Sequence, residues 1–128
     1  VAPIEDQFLI LGDADALRAF WNEAYASSLT PPATPDVRFG DETLIAVRLA
    51  ARPSSGYGVR IDGIERQDGE LFVSLTLTQP GEGTINATVM TSPWLLVRVL
   101  GLDANVVWFR DSETDSLFAV ARPEDAPF

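Results

Sequence analysis

Asp111, Glu113 and Asp115 stand at i, i+2 and i+4 in Asp111-Ser112-Glu113-Thr114-Asp115, the spacing with which a calcium loop begins to present oxygen ligands. The rest of that pattern is missing: Ser116 stands where an EF-hand needs its turn glycine, and Arg122 where it needs a bidentate glutamate. The run is therefore expected to be a solvated polar turn between two strands, holding no metal. Gly81 and Gly83 in Gln79-Pro80-Gly81-Glu82-Gly83 resemble a phosphate loop only superficially, because no lysine exists to reach a phosphate and no helix is expected to follow. Histidine, cysteine and lysine are all absent, and the nine cations are all arginines. This composition removes His-activated nucleophiles, Ser-Lys dyads, Schiff bases and His/Cys zinc sites. Carboxylate pairs remain open in principle, but no spacing in the chain favours one, so no catalytic residue and no cofactor is expected.

Three loops combine turn formers with a residue that costs more than a turn requires. They are Arg52-Pro53-Ser54-Ser55-Gly56-Tyr57-Gly58, Gln79-Pro80-Gly81-Glu82-Gly83 and Thr91-Ser92-Pro93-Trp94. Turns need Gly and Pro for their dihedral angles, whereas rigid amphipathic aromatics are favoured anchors at binding surfaces. The candidate partner-binding residues are Arg52, Ser54, Ser55, Gly56, Tyr57, Pro93 and Trp94. The bland alternative is that Tyr57 and Trp94 cap the edge of the core. Gly56 is expected to need either a positive φ or a close backbone approach.

The elements that must position these loops follow from periodicity. Gln7 to Leu11 reads as a short strand, interrupted by Gly12-Asp13, with Asp13 an N-cap candidate. Leu17, Phe20, Trp21, Ala24 and Tyr25 then share one helical face, with Asp15 in the first turn where the helix dipole favours an anion. Pro31, Pro32 and Pro35 make 27–36 a surface crossing loop. Short β-branched and aromatic runs follow, predicting strands near 43–51, 57–66, 71–79, 84–91, 94–100, 105–110 and 116–121. Asp68-Gly69 supplies the positive φ values of a tight hairpin, and Leu71, Val73, Leu75 and Leu77 share a core face.

The expected fold is α+β: one N-terminal helix packed on a twisted antiparallel β-sheet, as a small sandwich or half-barrel. Residues 1–128 form a single domain, with a helix-containing part over 1–42 and an antiparallel β region over 43–121. The expected core is Leu17, Phe20, Trp21, Ile45, Val47, Leu49, Val59, Ile61, Leu71, Val73, Leu75, Leu77, Val89, Val97, Val99, Val107 and Phe109.

Over about 43–100 the chain resembles the C-terminal domain of the PrcB family, accessory subunits of bacterial secreted protease complexes. Ile45-Ala46-Val47 leads through Arg52-Pro53-Ser54-Ser55-Gly56-Tyr57 to Val59 and Ile61, followed by Asp68-Gly69, Gln79-Pro80-Gly81 and Thr91-Ser92-Pro93-Trp94 with Val97 and Val99. The chain departs from the family pattern in two places: Ser54-Ser55 replaces Thr-Gly, and Trp94 stands where Tyr is common. The resemblance implies a non-catalytic protein-interaction domain, usually exported, whose partner is a protease. Ser54-Ser55-Gly56-Tyr57 and Ser92-Pro93-Trp94 are also similar to loops of chagasin-type cysteine protease inhibitors, which gather them at one end of a sandwich. If consecutive strands alternate in direction, however, those two loops fall at opposite ends here, which opposes an inhibitor.

The net charge of −10 opposes binding to nucleic acid or anionic membranes and favours solubility, and no apolar run is long enough to span a bilayer. The sequence opens on Val1 rather than Met, as a processed or trimmed chain would. The expected partner is a protein, outside the cytoplasm.

Overall fold

The computed structural model describes residues 3, 5–83, 91–101 and 104–125. The chain runs β1 (Gln7–Leu11), α1 (Ala14–Ala24), β2 (Glu42–Arg48), β3 (Gly58–Gln67), β4 (Glu70–Thr78), β5 (Trp94–Leu100), β6 (Val106–Asp111) and β7 (Leu117–Ala121). Among the described residues these strands form a three-stranded sheet, β1-β2-β5, and a four-stranded sheet, β3-β4-β6-β7. The helix lies on the outer face of the three-stranded sheet, so the order of layers is helix, sheet, sheet. This is the expected α+β sandwich with its single N-terminal helix.

Alternation along β2 explains the layering. Ile45, Val47 and Leu49 project into the core between the sheets, where they meet Leu71, Val73, Leu75, Val107 and Phe109. Leu44 and Ala46 project the other way, against Leu17 and Phe20 of α1. Both faces of β2 are thus covered, and its run is apolar on both, as a central strand requires. Leu17 and Phe20 are almost fully buried and stabilise the helix-sheet contact by about 2 kcal/mol each. Of the expected core, Trp21, Val59, Ile61, Leu77 and Val97 are only partly buried at its margins, and Val89 lies outside the described residues.

Asp13 caps α1 as its sequence position predicts, its Oδ1 accepting from the Ala16 N–H at 2.8 Å. The last turn of α1 contains no base of its own. Arg48 of β2 supplies one, with Nη2 donating to the Glu23 carbonyl and Nη1 lying 3.4 Å from the Glu23 carboxylate. A buried cation from a strand therefore closes the negative end of the helix. Burial pulls the Arg48 guanidinium below its ordinary range, while Glu23 acts in the opposite direction.

Asp68 and Gly69 both have positive φ, 49° and 77°, and join β3 to β4 with Gln67 opposite Glu70. β3 carries a bulge between Ile61 and Gly63. One pairing departs from the antiparallel expectation: β4 and β6 are parallel, with Phe72 opposite Trp108. The reason is the route of the chain, which leaves β4 for β5 in the other sheet and returns as β6. A return through the second sheet frees the pair from hairpin geometry. The strand expected over 84–91 lies outside the described residues except for Thr91.

Candidate functional site

The loops after β2 and before β5 are adjacent. β2 and β5 pair antiparallel with Arg48 opposite Trp94, which places the end of one strand beside the start of the other. Leu49 N–H donates to the Pro93 carbonyl at 2.8 Å, and the Ser92 hydroxyl donates to the Leu49 carbonyl at 2.5 Å. Arg52 and Thr91 exchange both backbone hydrogen bonds, 2.7 and 2.9 Å. The Thr91 hydroxyl then donates to the Ser54 carbonyl at 2.9 Å. Loop 52–56 and Ser92-Pro93 therefore do not lie at opposite ends. The parity expectation counted a strand over 84–91, which lies outside the described residues except for Thr91; alternation over β2, β3, β4 and β5 alone returns the start of β5 to the end where β2 finishes.

Asp6, preceding β1, anchors the same region. Its carboxylate accepts from the Ala50 N–H at 2.8 Å and from Arg52 Nη2 at 3.1 and 3.2 Å. Arg52 Nη1 donates to the Ala50 carbonyl at 3.0 Å. The guanidinium expected to face a partner is thus turned inward, holding the N-terminal segment to the loop. Pro53 and Ser55 are exposed, while Ser54, Gly56 and Tyr57 are half-buried. The loop presents a short outward ridge on a backbone fixed from two sides.

Trp94 is placed differently from Tyr57. Its ring packs edge-on against Phe20 at 5.7 Å, Trp21 at 5.7 Å and Tyr25 at 5.6 Å, on the helix side of the sheet. Tyr57 precedes Val59 and Ile61, which belong to the core between the sheets. The loops meet, and the half-buried Trp94 ring packs on α1 rather than beside Tyr57. Pro93, half-buried, serves the loop through its carbonyl. Gly56 is not among the positive-φ residues, which are Asp68, Gly69, Gly83, Gly101 and Asp115. Two residues later, at Gly58, a Cβ would meet Thr78 Oγ1 at 2.8 Å.

Three features were not visible in the sequence. Asp62, at the β3 bulge, accepts from Arg60 Nε at 2.8 Å, the Thr76 hydroxyl at 2.5 Å and the Ser112 hydroxyl. These bonds, Ser112 first, hold its carboxyl down at about 2. A carboxyl held that low has no proton to give near neutral pH and acts as a clasp between β3, β4 and the β6–β7 turn. On the outer face of the four-stranded sheet, Glu65, Phe72, Trp108 and Val120 align in one cross-strand row. Arg110 lies over the Phe72 ring at 5.1 Å, bonds Ser74 and pairs with Glu65. Thirdly, a cavity of about 770 Å³ is lined by Asp36, Val37, Arg38, Asp41, Glu42, Arg98 and Leu100, with Arg98 paired to Glu42 at 3.2 Å. Each joins residues far apart in the chain, so no local spacing announces it.

The acidic run 111–115 forms a turn, as expected: the Asp111 carboxylate accepts from the Glu113 and Thr114 N–H groups. Among the described residues no group of His, Cys, Asp or Glu is arranged to hold a metal ion, and no helix is long and apolar enough to cross a membrane.

Residues 43–99 match the family model described as PrcB C-terminal. The match runs from β2 to β5 and includes the β3–β4 hairpin, so it takes in both candidate loops and the centres of both sheets. Over that stretch the chain is similar to the PrcB C-terminal family; β1 adds a strand to one of the two sheets and β6-β7 two strands to the other. No curated protein and no solved structure gave a significant match, and similarity to chagasin-type inhibitors is not shown.

Proposed function

We propose that this chain is a non-catalytic protein-protein interaction domain that serves as an accessory or regulatory subunit of a secreted protease complex outside the cytoplasm. The observation that carries the reading is the PrcB C-terminal match over 43–99, which encloses both candidate loops. The two loops form one rigid surface, anchored by Asp6 and by the Arg52–Thr91 bridge, as a docking site needs if ordering costs are to stay low. The partner is a protein, and the partner favoured is a protease. The lack of His, Cys and Lys supports a role without turnover.

A second reading, inhibition of a papain-like cysteine protease, is favoured by one observation: loop 52–57 and Ser92-Pro93 meet at one end of the sandwich. The placement of Trp94 weighs against it, because the half-buried ring faces the helix side of the sheet, whereas Tyr57 leads into the core between the sheets. Affinity capture from the protein's own source, followed by assay of the recovered protease with and without added domain, separates the two. The accessory reading expects a recovered protease whose activity or stability rises with the domain. Tight inhibition of a papain-like enzyme supports the second reading, and recovery of no protease contradicts both.

A further inference from the structure

Pro31-Pro32-Ala33-Thr34-Pro35 joins α1 to the strand that follows and contains a P-x-x-P segment, Pro32 and Pro35 standing three residues apart. In a polyproline II helix, three residues make one turn, so such prolines share a face and the backbone carbonyls stay free of internal hydrogen bonds. One of those carbonyls is taken up: the Trp21 indole Nε1–H donates to the Pro32 oxygen at 2.8 Å. That indole belongs to a ring cluster in which Trp21 and Tyr25 lie 4.8 Å apart and Trp94 lies within 5.7 Å of both. All three are half-buried, with Phe20 closing the cluster against the core. Rigid aromatic faces joined to an indole donor are the parts with which proteins recognise proline-rich ligands.

The strap on this cluster is lightly held. Leu29 to Thr34 are all exposed, Leu29 completely. Two side-chain donors reach its backbone: Trp21 at Pro32, and Arg98 Nη2 at the Asp36 carbonyl, 2.7 Å. Its three prolines have no N–H to offer in return. A segment with so little burial opens at low cost relative to the sheets beneath it.

We propose that the Trp21–Tyr25–Trp94 cluster is a receptor surface for a proline-rich segment of a protein partner, and that the chain's own 31–35 strap occupies it in cis. The proposal rests on the protein-binding reading and adds a second contact on the helix side of the three-stranded sheet. A partner's P-x-x-P segment replaces the Pro32 carbonyl at the indole, and the strap swings clear. Competition from the strap lowers the apparent affinity by the fraction of time the cluster is covered.

The test uses the full chain and a synthetic peptide of residues 29–37, Leu-Thr-Pro-Pro-Ala-Thr-Pro-Asp-Val. In a variant with Pro31→Gly, Pro32→Gly and Pro35→Gly, calorimetric affinity for the peptide is expected to rise at least tenfold over the unaltered chain. Adding Trp21→Phe should cancel that gain, and a peptide with its prolines replaced by alanine should not bind. A folded triple variant that binds no more tightly, or binding that survives Trp21→Phe, overturns the proposal. Should the triple variant not fold, the unaltered chain decides: millimolar peptide is expected to shift the Trp21 indole N–H resonance in NMR, and an unmoved resonance overturns the idea. A null peptide titration alongside an intact complex with the native partner removes this surface alone. Failure to find any partner removes the protein-binding reading itself.

Discussion

Arg52 and Thr91, 39 positions apart in sequence (91 − 52), exchange both backbone hydrogen bonds in an isolated antiparallel bridge, and through it the two candidate loops become one surface. The Thr91 hydroxyl extends the clamp to the Ser54 carbonyl. Thr91→Val keeps the shape and removes this bond. It is expected to lower stability by about 1 kcal/mol and to speed amide exchange in 52–57, measured by urea unfolding and hydrogen exchange. Unchanged exchange in the loop would show that the backbone bridge alone is sufficient.

Trp94 touches Phe20, Trp21 and Tyr25, so its first role is to seat α1. Trp94→Ala is expected to cost about 3 kcal/mol of stability, read as a large drop in the urea midpoint. A near-neutral effect on unfolding combined with loss of partner binding would return Trp94 to the role of a contact residue.

Gly58 lies opposite Thr78, and a Cβ there would stand 2.8 Å from Thr78 Oγ1. Gly58→Ala is expected to destabilise by about 1–2 kcal/mol, and Thr78→Ala in the same chain should recover most of the loss, because the clash is with that side chain alone. Additive losses in the double variant would place the strain in the backbone instead.

The Asp62 carboxyl is held down at about 2, against an ordinary value of 3.8, chiefly by the Ser112 hydroxyl and then by Thr76 and Arg60. A depressed folded pKa gives stability that is fully present above the unfolded value and lost as pH falls toward the folded one. Asp62→Asn should therefore differ most from the unaltered chain above about pH 4, the difference shrinking between pH 4 and pH 2. Denaturant midpoints measured across that range check the sign, and a difference that grows on acidification contradicts it.

Much of this architecture is local and so legible in the sequence. Asp13 caps α1, Asp68-Gly69 turns the hairpin, and the alternation of Leu71, Val73 and Leu75 sets the core face, each through chemistry acting within a few residues. Loop 52–57 was visible for the same reason, since its turn formers are contiguous. What escaped depends on which strands meet. The parallel β4–β6 pair follows from a crossover that no local signal records, and the wrong end assigned to Ser92-Pro93 came from counting a strand over 84–91. Asp6, Asp62 and Arg48 are ordinary charged residues in sequence and acquire their roles only from partners at distant positions. Arg52 and Trp94 have residue types suited to a binding surface, and their intramolecular partners, Asp6 for one and the rings of α1 for the other, are set by pairings that no local spacing announces.

The proposed role places partner contact on the 52–57 ridge, which Thr91 and Asp6 fix. Ser55, like Pro53, is exposed on that ridge, and Ser55→Arg adds bulk and charge there without entering the core. Once the native partner complex is in hand, isothermal titration of that partner with the unaltered chain and with Ser55→Arg tests the claim most directly. At least a tenfold rise in Kd, about 1.4 kcal/mol, is expected, with the variant still folded. Equal affinity for the two chains, with both folded, would contradict it.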